Sequence, residues 1–399
     1  MNIVGGRVEP GFERVREAFA RGQAIDEGGA QLCVYRHGRE VVNLWTGRDV
    51  VKNRPYGEDT ITVMMSCTKA AVAVCAHILA ERGVLDFDAP VARYWPEFAA
   101  GGKENVRVRH LLTHSAGLVG YDPEDGAAPS DPLDWRAATD RLARMKPLWE
   151  PGTAYFYHFV TYGYLVGEVV LRVSGKSVGR FFADEVAGPL KIDMWIGLPE
   201  AEEHRVAPHF TRLPAISEEQ WRTLLGRMGI DITTRLARTV LYTFKTTDEV
   251  VYTLMNNRAG HAAEVPAGNG IGNARALARM YASLISHVDG VRLIKPETME
   301  RARTPQTKGI GAPGDFARFA RTEPQWFGLG FELPRAPEPM FGPGSFGHAG
   351  AGGRMGFAHP ESGLAVGYVC NNMMWNNLEP DARWVPWTKA LHEVVGARG

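Results

Sequence analysis

Hydrophobic side chains near the N-terminus recur at helical spacing. Phe12, Val15 and Phe19 are separated by charged and small residues, a pattern that predicts an amphipathic helix over residues 11–24. Two runs rich in β-branched and aromatic residues follow, and the turn-forming segment 36–39 between them predicts a β-hairpin. The chain is therefore expected to open with one helix and a pair of antiparallel strands.

The pattern changes at Ser66. The short β-branched run at 60–65 is typical of a strand that leads into a new element. The segment from Ser66 is rich in alanine and ends at Gly83, which predicts a helix with a glycine stop. Proline and glycine clusters then separate further segments of helical pattern. These predicted helices cover residues 108–114, 132–145, 160–173, 178–187 and 274–286.

Strand patterns return near the C-terminus. Residues 326–333, 354–358 and 364–370 have strand character, and the turn sequence at 360–363 joins the last two of them. A final helix is predicted over residues 381–395. The two ends of the chain therefore both contribute strands.

Strands at both ends with helices between them predict an α/β (α+β) fold. We expect a discontinuous α/β lobe, residues 1–65 and 265–399, in which helices flank an antiparallel sheet. Residues 66–264 are expected to form an inserted, mainly helical lobe. Within that lobe the segment 199–266 carries no recognisable chemistry, and we predict that it forms a cap over a substrate pocket.

The composition excludes several functional classes. Lys and Arg number 45, as do Asp and Glu, so the formal net charge is zero and no nucleic acid is expected as a partner. No apolar run approaches the ~18 residues of a membrane span, and the N-terminus lacks a signal-peptide pattern. The cysteines, Cys33, Cys67, Cys75 and Cys370, show no CxxC pairing. We therefore expect reduced thiols and a cytoplasmic protein without a membrane partner.

Candidate chemistry begins with Ser66 and Lys69. Residues three apart share a helix face, so the Lys69 amine can reach the Ser66 hydroxyl. The helix N-terminus offers free N–H groups and partial positive charge to the oxygen of an activated serine. The apolar residues on either side predict a desolvated amine with a lowered pKa, which makes a neutral lysine base feasible. The motif is weak by itself, because Ser-x-x-Lys also arises by chance.

Two further segments carry candidate chemistry. At 151–159 a Pro-Gly turn precedes an aromatic run, in which the Tyr157 phenol is a candidate for proton exchange with Ser66. A phenol has a reference pKa of ~10, so it needs a nearby cation such as Lys69 to act near neutrality. The glycine-rich segment 347–353 runs into a strand whose backbone N–H groups can stabilise a developing oxyanion.

These three motifs stand in the order found in the penicillin-recognising serine enzymes. Their spacing resembles that of class C β-lactamases and of the β-lactamase-like carboxylesterases called family VIII, over roughly residues 10–395. The sequence segments 106–118 and 161–168 also resemble those of the same group. The motifs that carry the resemblance are Ser66-Cys67-Thr68-Lys69, Pro151-Gly152-Thr153 with Tyr157, and His348-Ala349-Gly350. The resemblance implies a β-lactamase/transpeptidase-like fold.

The resemblance also implies roles for individual residues. Ser66 would be the acylated nucleophile, and Lys69 would accept or relay its proton. Tyr157 would act as general base for the attack and as general acid for the leaving group. The backbone N–H groups of Ser66 and Ala351 would form the oxyanion hole. His348 would stand where the lactamases carry a lysine.

Departures from the lactamase pattern favour esters. Phe159 occupies the position of an asparagine that binds an amide side chain, and it cannot form that hydrogen bond. His348 replaces the lysine that holds a substrate carboxylate. We expect His348, Gly350, Phe159 and His158 to contact the substrate, in a pocket suited to an apolar acyl or alcohol group.

Four functions remain in order of preference. The first is a carboxylesterase that works through a covalent acyl-enzyme, and the second is a transacylase of natural-product metabolism with the same first half-reaction. The third is amide or β-lactam hydrolysis, and the last is a non-catalytic binding protein. The expected partner is a small-molecule ester or acyl donor, and the oligomeric state is open.

The proposed chemistry needs no cofactor. No metal-ligand motif is present, and His110 and His114, four residues apart, are interpreted as buried hydrogen-bonding residues. No Gly-x-Ser-x-Gly elbow and no nucleotide-binding glycine motif occur.

Overall fold

A six-stranded antiparallel sheet joins the two ends of the chain. The computed structural model describes residues 3–121, 124, 133–214, 216–252, 254–319, 326–335, 340–374 and 379–396. Its strands are β1 (Gly5–Val8), β2 (Ala30–Arg36), β3 (Arg39–Thr46), β9 (Phe346–Gly350), β10 (Arg354–His359) and β11 (Leu364–Cys370). They have the order β1-β3-β2-β11-β10-β9, so N-terminal strands pair with C-terminal ones through β2 and β11.

Two smaller sheets lie between these ends. Their short strands are β4 (Arg48–Asp49), β5 (Arg54–Pro55), β6 (Thr62–Val63), β7 (Met194–Trp195) and β8 (Ile271–Gly272). Strands β4 and β5 form one sheet, and the other has the order β6-β8-β7, in which β6 leads the chain towards Ser66.

Helices cover both faces of the main sheet and fill the middle of the chain. They are α1 (Glu13–Gln23), α2 (Cys67–Glu81), α3 (Val108–Leu112), α4 (Trp135–Arg144), α5 (Thr161–Ser174), α6 (Val178–Phe182), α7 (Gly188–Leu190), α8 (Glu218–Arg227), α9 (Arg235–Tyr252), α10 (Arg258–Ala262), α11 (Ala274–Ile285), α12 (Pro296–Arg303) and α13 (Val385–Gly396). The mixed helix and antiparallel sheet fold predicted from the sequence is confirmed.

The alternation of side chains along β2 sorts residues between two cores. Leu32 and Val34 pack with α1 and α13 on one face, whereas Cys33 and Tyr35 belong to the larger core on the other face. That larger core contains α2, which is buried continuously from Cys67 to Leu79. The alanines of α2 thus reflect a helix packed on all sides, where small side chains allow close approach.

Several predicted elements differ in the structure. Residues 326–333 form a tight loop with isolated bridges, Phe327 to Glu332 and Glu332 to Gly347, rather than a strand. Gly330 turns that loop with a φ of 89°, which interrupts an extended run. The last helix begins at Val385 and not at 381, because Asp381 and Arg383 form a buried ion pair in the turn before it.

Other differences lie in the helical middle. The helix predicted at 178–187 continues beyond α6 as a π-helix, 183–187. The start of the helix predicted at 132–145 lies outside the described residues, and α4 begins at 135. Strand β1 and helices α8, α9, α10 and α12 were not predicted. The lobe boundaries and the cap role of 199–266 stay predictions, although that segment is now seen to contain α8, α9 and α10.

Within the described residues, no helix combines the length and the hydropathy that a bilayer crossing requires.

Candidate active site

Ser66 lies where the three-stranded sheet meets helix α2. After β6 the chain turns through Met65, which has a left-handed φ of 51°. A non-glycine residue in this region is strained, so neighbouring bonds must hold it. The Thr68 hydroxyl donates to the Met65 carbonyl (2.6 Å) and accepts the Gly270 N–H (2.9 Å). This turn leaves Ser66 half-buried as the N-cap residue of α2.

The Lys69 amine lies beside the Ser66 hydroxyl. Its Nζ is 3.2 Å from Ser66 Oγ and 2.9 Å from the Ala267 carbonyl oxygen, and the side chain is 1% exposed. Burial lowers the pKa of Lys69 to about 7, and the Glu332 carboxylate opposes part of this shift. A neutral amine here can donate to Ala267 and keep its lone pair for the Ser66 proton.

The Tyr157 hydroxyl is the third group at Ser66. It hydrogen-bonds the Ser66 side chain, and Lys69 Nζ lies 4.7 Å from the centroid of its ring. Burial raises the pKa of Tyr157 well above that of an ordinary phenol, and Glu332 raises it further. A lowered pKa was expected from a nearby cation, but the shift has the opposite sign, with burial as its largest cause. The phenol therefore stays protonated near neutrality.

Aromatic contacts fix the Tyr157 ring. The His114 ring lies 4.8 Å away between centroids, Phe327 stacks at 6.3 Å, and Phe159 meets the ring edge-on at 5.1 Å. His114 has a left-handed φ of 59°, and its Nδ1 accepts the His158 N–H at 3.0 Å. Burial holds the pKa of His114 well below its usual value, so this ring is a neutral packing partner of Tyr157.

Phe159 belongs to an aromatic wall that extends away from Tyr157. It contacts Phe244 of α9 at 5.4 Å, and Phe244 in turn contacts Trp221 of α8 at 4.5 Å. All three rings are partly exposed. An apolar surface therefore lies beside Tyr157, as predicted, and helices α8 and α9 of the segment 199–266 supply part of it.

Hydrogen bonding accounts for His158, and close packing accounts for Gly350. The His158 ring is fully buried, with Nε2 accepting the Leu118 N–H (3.1 Å) and Nδ1 bonded to the Phe156 carbonyl (2.7 Å). It offers no free polar atom to a substrate, contrary to the prediction. A Cβ at Gly350 would come within 2.6 Å of the Met64 carbonyl oxygen. Gly350 therefore allows β9 to pack against the chain before Ser66, and its contact with substrate stays a prediction.

His348 and Glu332 form an unpredicted pair beside the site. The His348 ring is 2% exposed and lies 6.1 Å from the Tyr157 ring between centroids. Its Nδ1 is 2.6 Å from the Ala349 carbonyl oxygen and 3.5 Å from Glu332 Oε2. Burial lowers the pKa of His348, so the imidazole is uncharged at neutral pH. No local motif marks Glu332, because the loop at 326–333 that brings it to β9 is far in sequence from Ser66 and Tyr157.

The outer edge of β9 presents the predicted oxyanion donor. Gly347 exchanges both backbone hydrogen bonds with Glu332 (2.8 and 3.0 Å), and the Ala349 N–H donates to the Glu332 carboxylate (2.8 Å). Ala351 is next in this alternation. No described residue accepts a hydrogen bond from its N–H or from the N–H of Ser66. Both amides are thus free for an oxyanion, a role that stays a prediction.

Buried side chains donate hydrogen bonds to the carbonyl oxygens of the turn between β9 and β10. Arg354 donates to the Ala351 carbonyl (2.9 Å), Arg383 to the Gly352 carbonyl (2.7 Å), and the Trp384 indole to the Gly353 carbonyl (2.9 Å). Arg383 is fully buried and also pairs with two buried carboxylates, Asp26 at 2.8 Å and Asp381 at 2.6 Å. These bonds keep the Ala351 N–H in a fixed place.

Replacing Arg383 with methionine is expected to destabilise the protein by about 3–5 kcal/mol, because two buried carboxylates lose their cation. Urea unfolding followed by circular dichroism measures this change. Arg212→Met removes an exposed ion pair with Glu27 and is expected to leave the unfolding midpoint nearly unchanged. Equal midpoints for the two variants would contradict the structural role of Arg383.

The lowered pKa of Lys69 predicts how turnover depends on pH. The kcat/KM for an uncharged ester should rise as pH increases through about 7, because Lys69 must lose its proton to act as a base. Glu332→Gln removes a charge that raises the pKa of Lys69, so this acid limb should move to lower pH. Glu361→Gln, at an exposed carboxylate, is the control. An acid limb that Glu332→Gln leaves in place would exclude this electrostatic coupling.

Among the described residues, no group of three or more His, Cys, Asp or Glu side chains is placed to hold a metal ion. His110 instead accepts the Arg107 N–H at the start of α3 (3.3 Å), and His114 packs against Tyr157.

The fold and this site together define a serine hydrolase of the β-lactamase fold. The family model described as Beta-lactamase matches residues 15–386, and the chain belongs to that family.

Relatives in the family include enzymes named as esterases. The chain is 32% identical over 385 residues to "Esterase/beta-lactamase LipL" of Mycobacterium tuberculosis, covering 93% of this chain and 83% of the relative. A crystal structure of a family VIII carboxylesterase has a TM-score of 0.83 and 33% identity, covering 98% of this chain and all of that one. A penicillin-binding protein homologue from Caulobacter crescentus has a TM-score of 0.83 and 32% identity, with the same coverage of both chains.

Proposed function

We propose that this protein is a carboxylesterase that acylates Ser66. The observation that carries the proposal is the buried Lys69 amine, 3.2 Å from Ser66 Oγ and with a pKa lowered to about 7. Such an amine is neutral in a large share of molecules near neutrality, and it can take the Ser66 proton during attack on an ester carbonyl.

The steps follow from the positions of the groups. Ser66 Oγ attacks the ester carbonyl while its proton moves to Lys69 Nζ. The carbonyl oxygen becomes an oxyanion, which the Ser66 and Ala351 N–H groups would stabilise. As the alkoxide leaves, the Tyr157 phenol is placed to donate a proton to it, and Lys69 can restore that proton. Water then attacks the acyl-enzyme by the reverse path and releases the acid.

Two features favour an ester over an amide or a β-lactam. Phe159 places an aromatic ring beside Tyr157, where it cannot hydrogen-bond an amide side chain. His348 contributes an uncharged imidazole and so lacks the fixed cation that would bind a substrate carboxylate. The esterase names of relatives such as LipL support the same substrate class.

Comparing 4-nitrophenyl butyrate with a chromogenic cephalosporin tests this proposal. We expect kcat/KM for the ester to exceed that for the cephalosporin by at least about a hundredfold, since the site lacks partners for the amide and carboxylate. Equal values would favour a β-lactam hydrolase. Adding a primary alcohol separates the transacylase alternative, because a transferase would form the new ester faster than free acid.

A further inference from the structure

The aromatic wall beside Tyr157 is supported from behind. Phe159, Phe244 and Trp221 pack against a third apolar cluster, which is separate from the two larger cores. The three rings themselves are only partly buried, so ring surface is left for a ligand to cover. The buried members of the cluster come from α8, α9 and neighbouring loops: Val119, Leu225, Ile230, Ala237, Val240, Leu241 and Phe316.

Residues on both sides of Phe159 are tied to one neighbouring segment. The Leu118 N–H donates to Nε2 of His158 (3.1 Å), and the Thr161 hydroxyl donates to the Leu118 carbonyl (2.6 Å). Both bonds are buried. They hold the start of the wall in a fixed place beside the catalytic groups.

Helix α9 packs directly on the same segment. A Cβ at Gly120 would collide with Oγ1 of Thr243, so glycine is what allows the helix to approach this closely. Thr243 precedes Phe244 in the chain, and the contact therefore fixes the second ring of the wall relative to the first. Because the protein already holds these rings, a ligand that packs on them needs little ordering of the site.

The spacing of the rings suits a further aromatic ring. The centroids of Tyr157 and Phe159 are 5.1 Å apart, those of Phe159 and Phe244 are 5.4 Å apart, and both pairs meet edge to face. Aromatic pairs prefer this geometry and gain affinity from it beyond that of the buried area. An aryl group on the wall can extend the same arrangement, whereas an alkyl group gains from burial alone.

The wall begins at the group that contacts the nucleophile. The Tyr157 hydroxyl hydrogen-bonds the Ser66 side chain, and Phe159 is the next ring along. An ester placed for attack by Ser66 therefore has its carbonyl near Tyr157. Its substituent must extend past that ring to reach Phe159 and Phe244. A methyl group is too short for this, whereas a phenyl group on a short alkyl linker is long enough.

We propose that Phe159 and Phe244 select esters that carry an aryl group on a short alkyl linker beside the ester bond. This inference rests on the proposed esterase function and adds to it a substrate class and two specificity-determining side chains.

Three methyl esters test the proposal: methyl 4-phenylbutanoate, methyl 4-cyclohexylbutanoate and methyl butanoate. Acid release is followed by titration at constant pH. We expect the wild type to prefer the phenyl ester over methyl butanoate by at least about tenfold in kcat/KM, because the ring buries apolar area on the wall. The acetates of 4-phenylbutanol, 4-cyclohexylbutanol and butanol repeat the comparison with the ring on the alcohol, so that the two series show which part of the ester the wall binds.

Variants of Phe244 separate ring contact from apolar burial. Phe244→Leu keeps an apolar side chain, so it should lower the phenyl-to-cyclohexyl ratio of kcat/KM about threefold and keep most of the preference over methyl butanoate. Phe244→Ala should lower that second preference as well, by about fivefold or more.

Phe341→Ala is the matched control. This ring is also partly exposed, but it stacks on His392 at 4.0 Å and packs on the core formed with α1 and α13. Both ratios should stay at their wild-type values in this variant. Ratios that also stay unchanged in the two Phe244 variants, in both ester series, would overturn the proposal.

Binding of an unreactive ketone tests the wall without turnover. Calorimetry measures the affinity of 5-phenylpentan-2-one, which keeps the linker and the ring, for Ser66→Ala. Adding Phe244→Ala to this variant should weaken binding about fivefold or more, and equal affinities would contradict the role of the wall. Turnover of the phenyl ester that survives in Ser66→Ala would instead refute the esterase function.

Discussion

Replacing Ser66 with alanine is expected to reduce kcat for aryl ester hydrolysis by about 10⁴–10⁶-fold, which is the scale on which nucleophile removal acts in serine hydrolases. The reason is geometric. Ser66 Oγ is the hydroxyl that contacts both Lys69 Nζ and the Tyr157 phenol at the free N-terminus of α2. Steady-state kinetics with 4-nitrophenyl butyrate measures the loss.

Cys67→Ala is the matched control for that experiment. The Cys67 thiol is buried, it donates to the His348 carbonyl (3.2 Å), and burial raises its pKa, so it is an inert packing group. This variant should stay within about tenfold of wild type. Activity that survives in Ser66→Ala and disappears in Cys67→Ala would move the nucleophile to the thiol.

Replacing Lys69 with methionine is expected to lower kcat/KM by about 10³-fold, within the range for loss of a general base. Methionine keeps the volume and apolar character of the buried stem, which limits the structural change. Lys69→Arg separates the base from a simple cation, because a guanidinium stays protonated at any assay pH. If Lys69 acts as a base, arginine should be no better than methionine.

The result that contradicts this role is a Lys69→Arg variant that retains a tenth or more of wild-type kcat/KM. Such a variant would show that positive charge at this position is sufficient. Thermal unfolding of both variants accompanies the kinetics, so that loss of activity is compared only between folded proteins.

Local sequence information was sufficient to predict the Ser66 and Lys69 part of the site. Ser66 and Lys69 share a helix turn, and the apolar segments on either side of the pair correctly indicated a buried amine. The sequence also indicated the sheet, because β2, β3, β10 and β11 carry strong β-branched and turn patterns. The position of Tyr157 beside Ser66 followed from the family resemblance, since no local rule joins residues 91 positions apart.

Residues that act through the tertiary structure were not predictable in this way. Glu332 comes from a tight loop in a segment whose pattern predicts a strand, and it reaches β9 through bonds to Gly347 and Ala349. Arg383 pairs with Asp26, which is far away in sequence, and with Asp381, which lies in the same turn and belongs to no recognisable motif. The direction of the Tyr157 pKa shift also depends on burial, which composition alone does not reveal.

The most direct test of the account is intact-protein mass spectrometry after reaction with a serine-directed phosphonate. We predict a single adduct on the wild type, mapped by peptide analysis to Ser66 and absent from Ser66→Ala. Formation should slow strongly in Lys69→Met, because the amine that activates the hydroxyl is gone. An adduct on another residue, or equal labelling of Ser66→Ala, would contradict the central claim that Ser66 is the nucleophile.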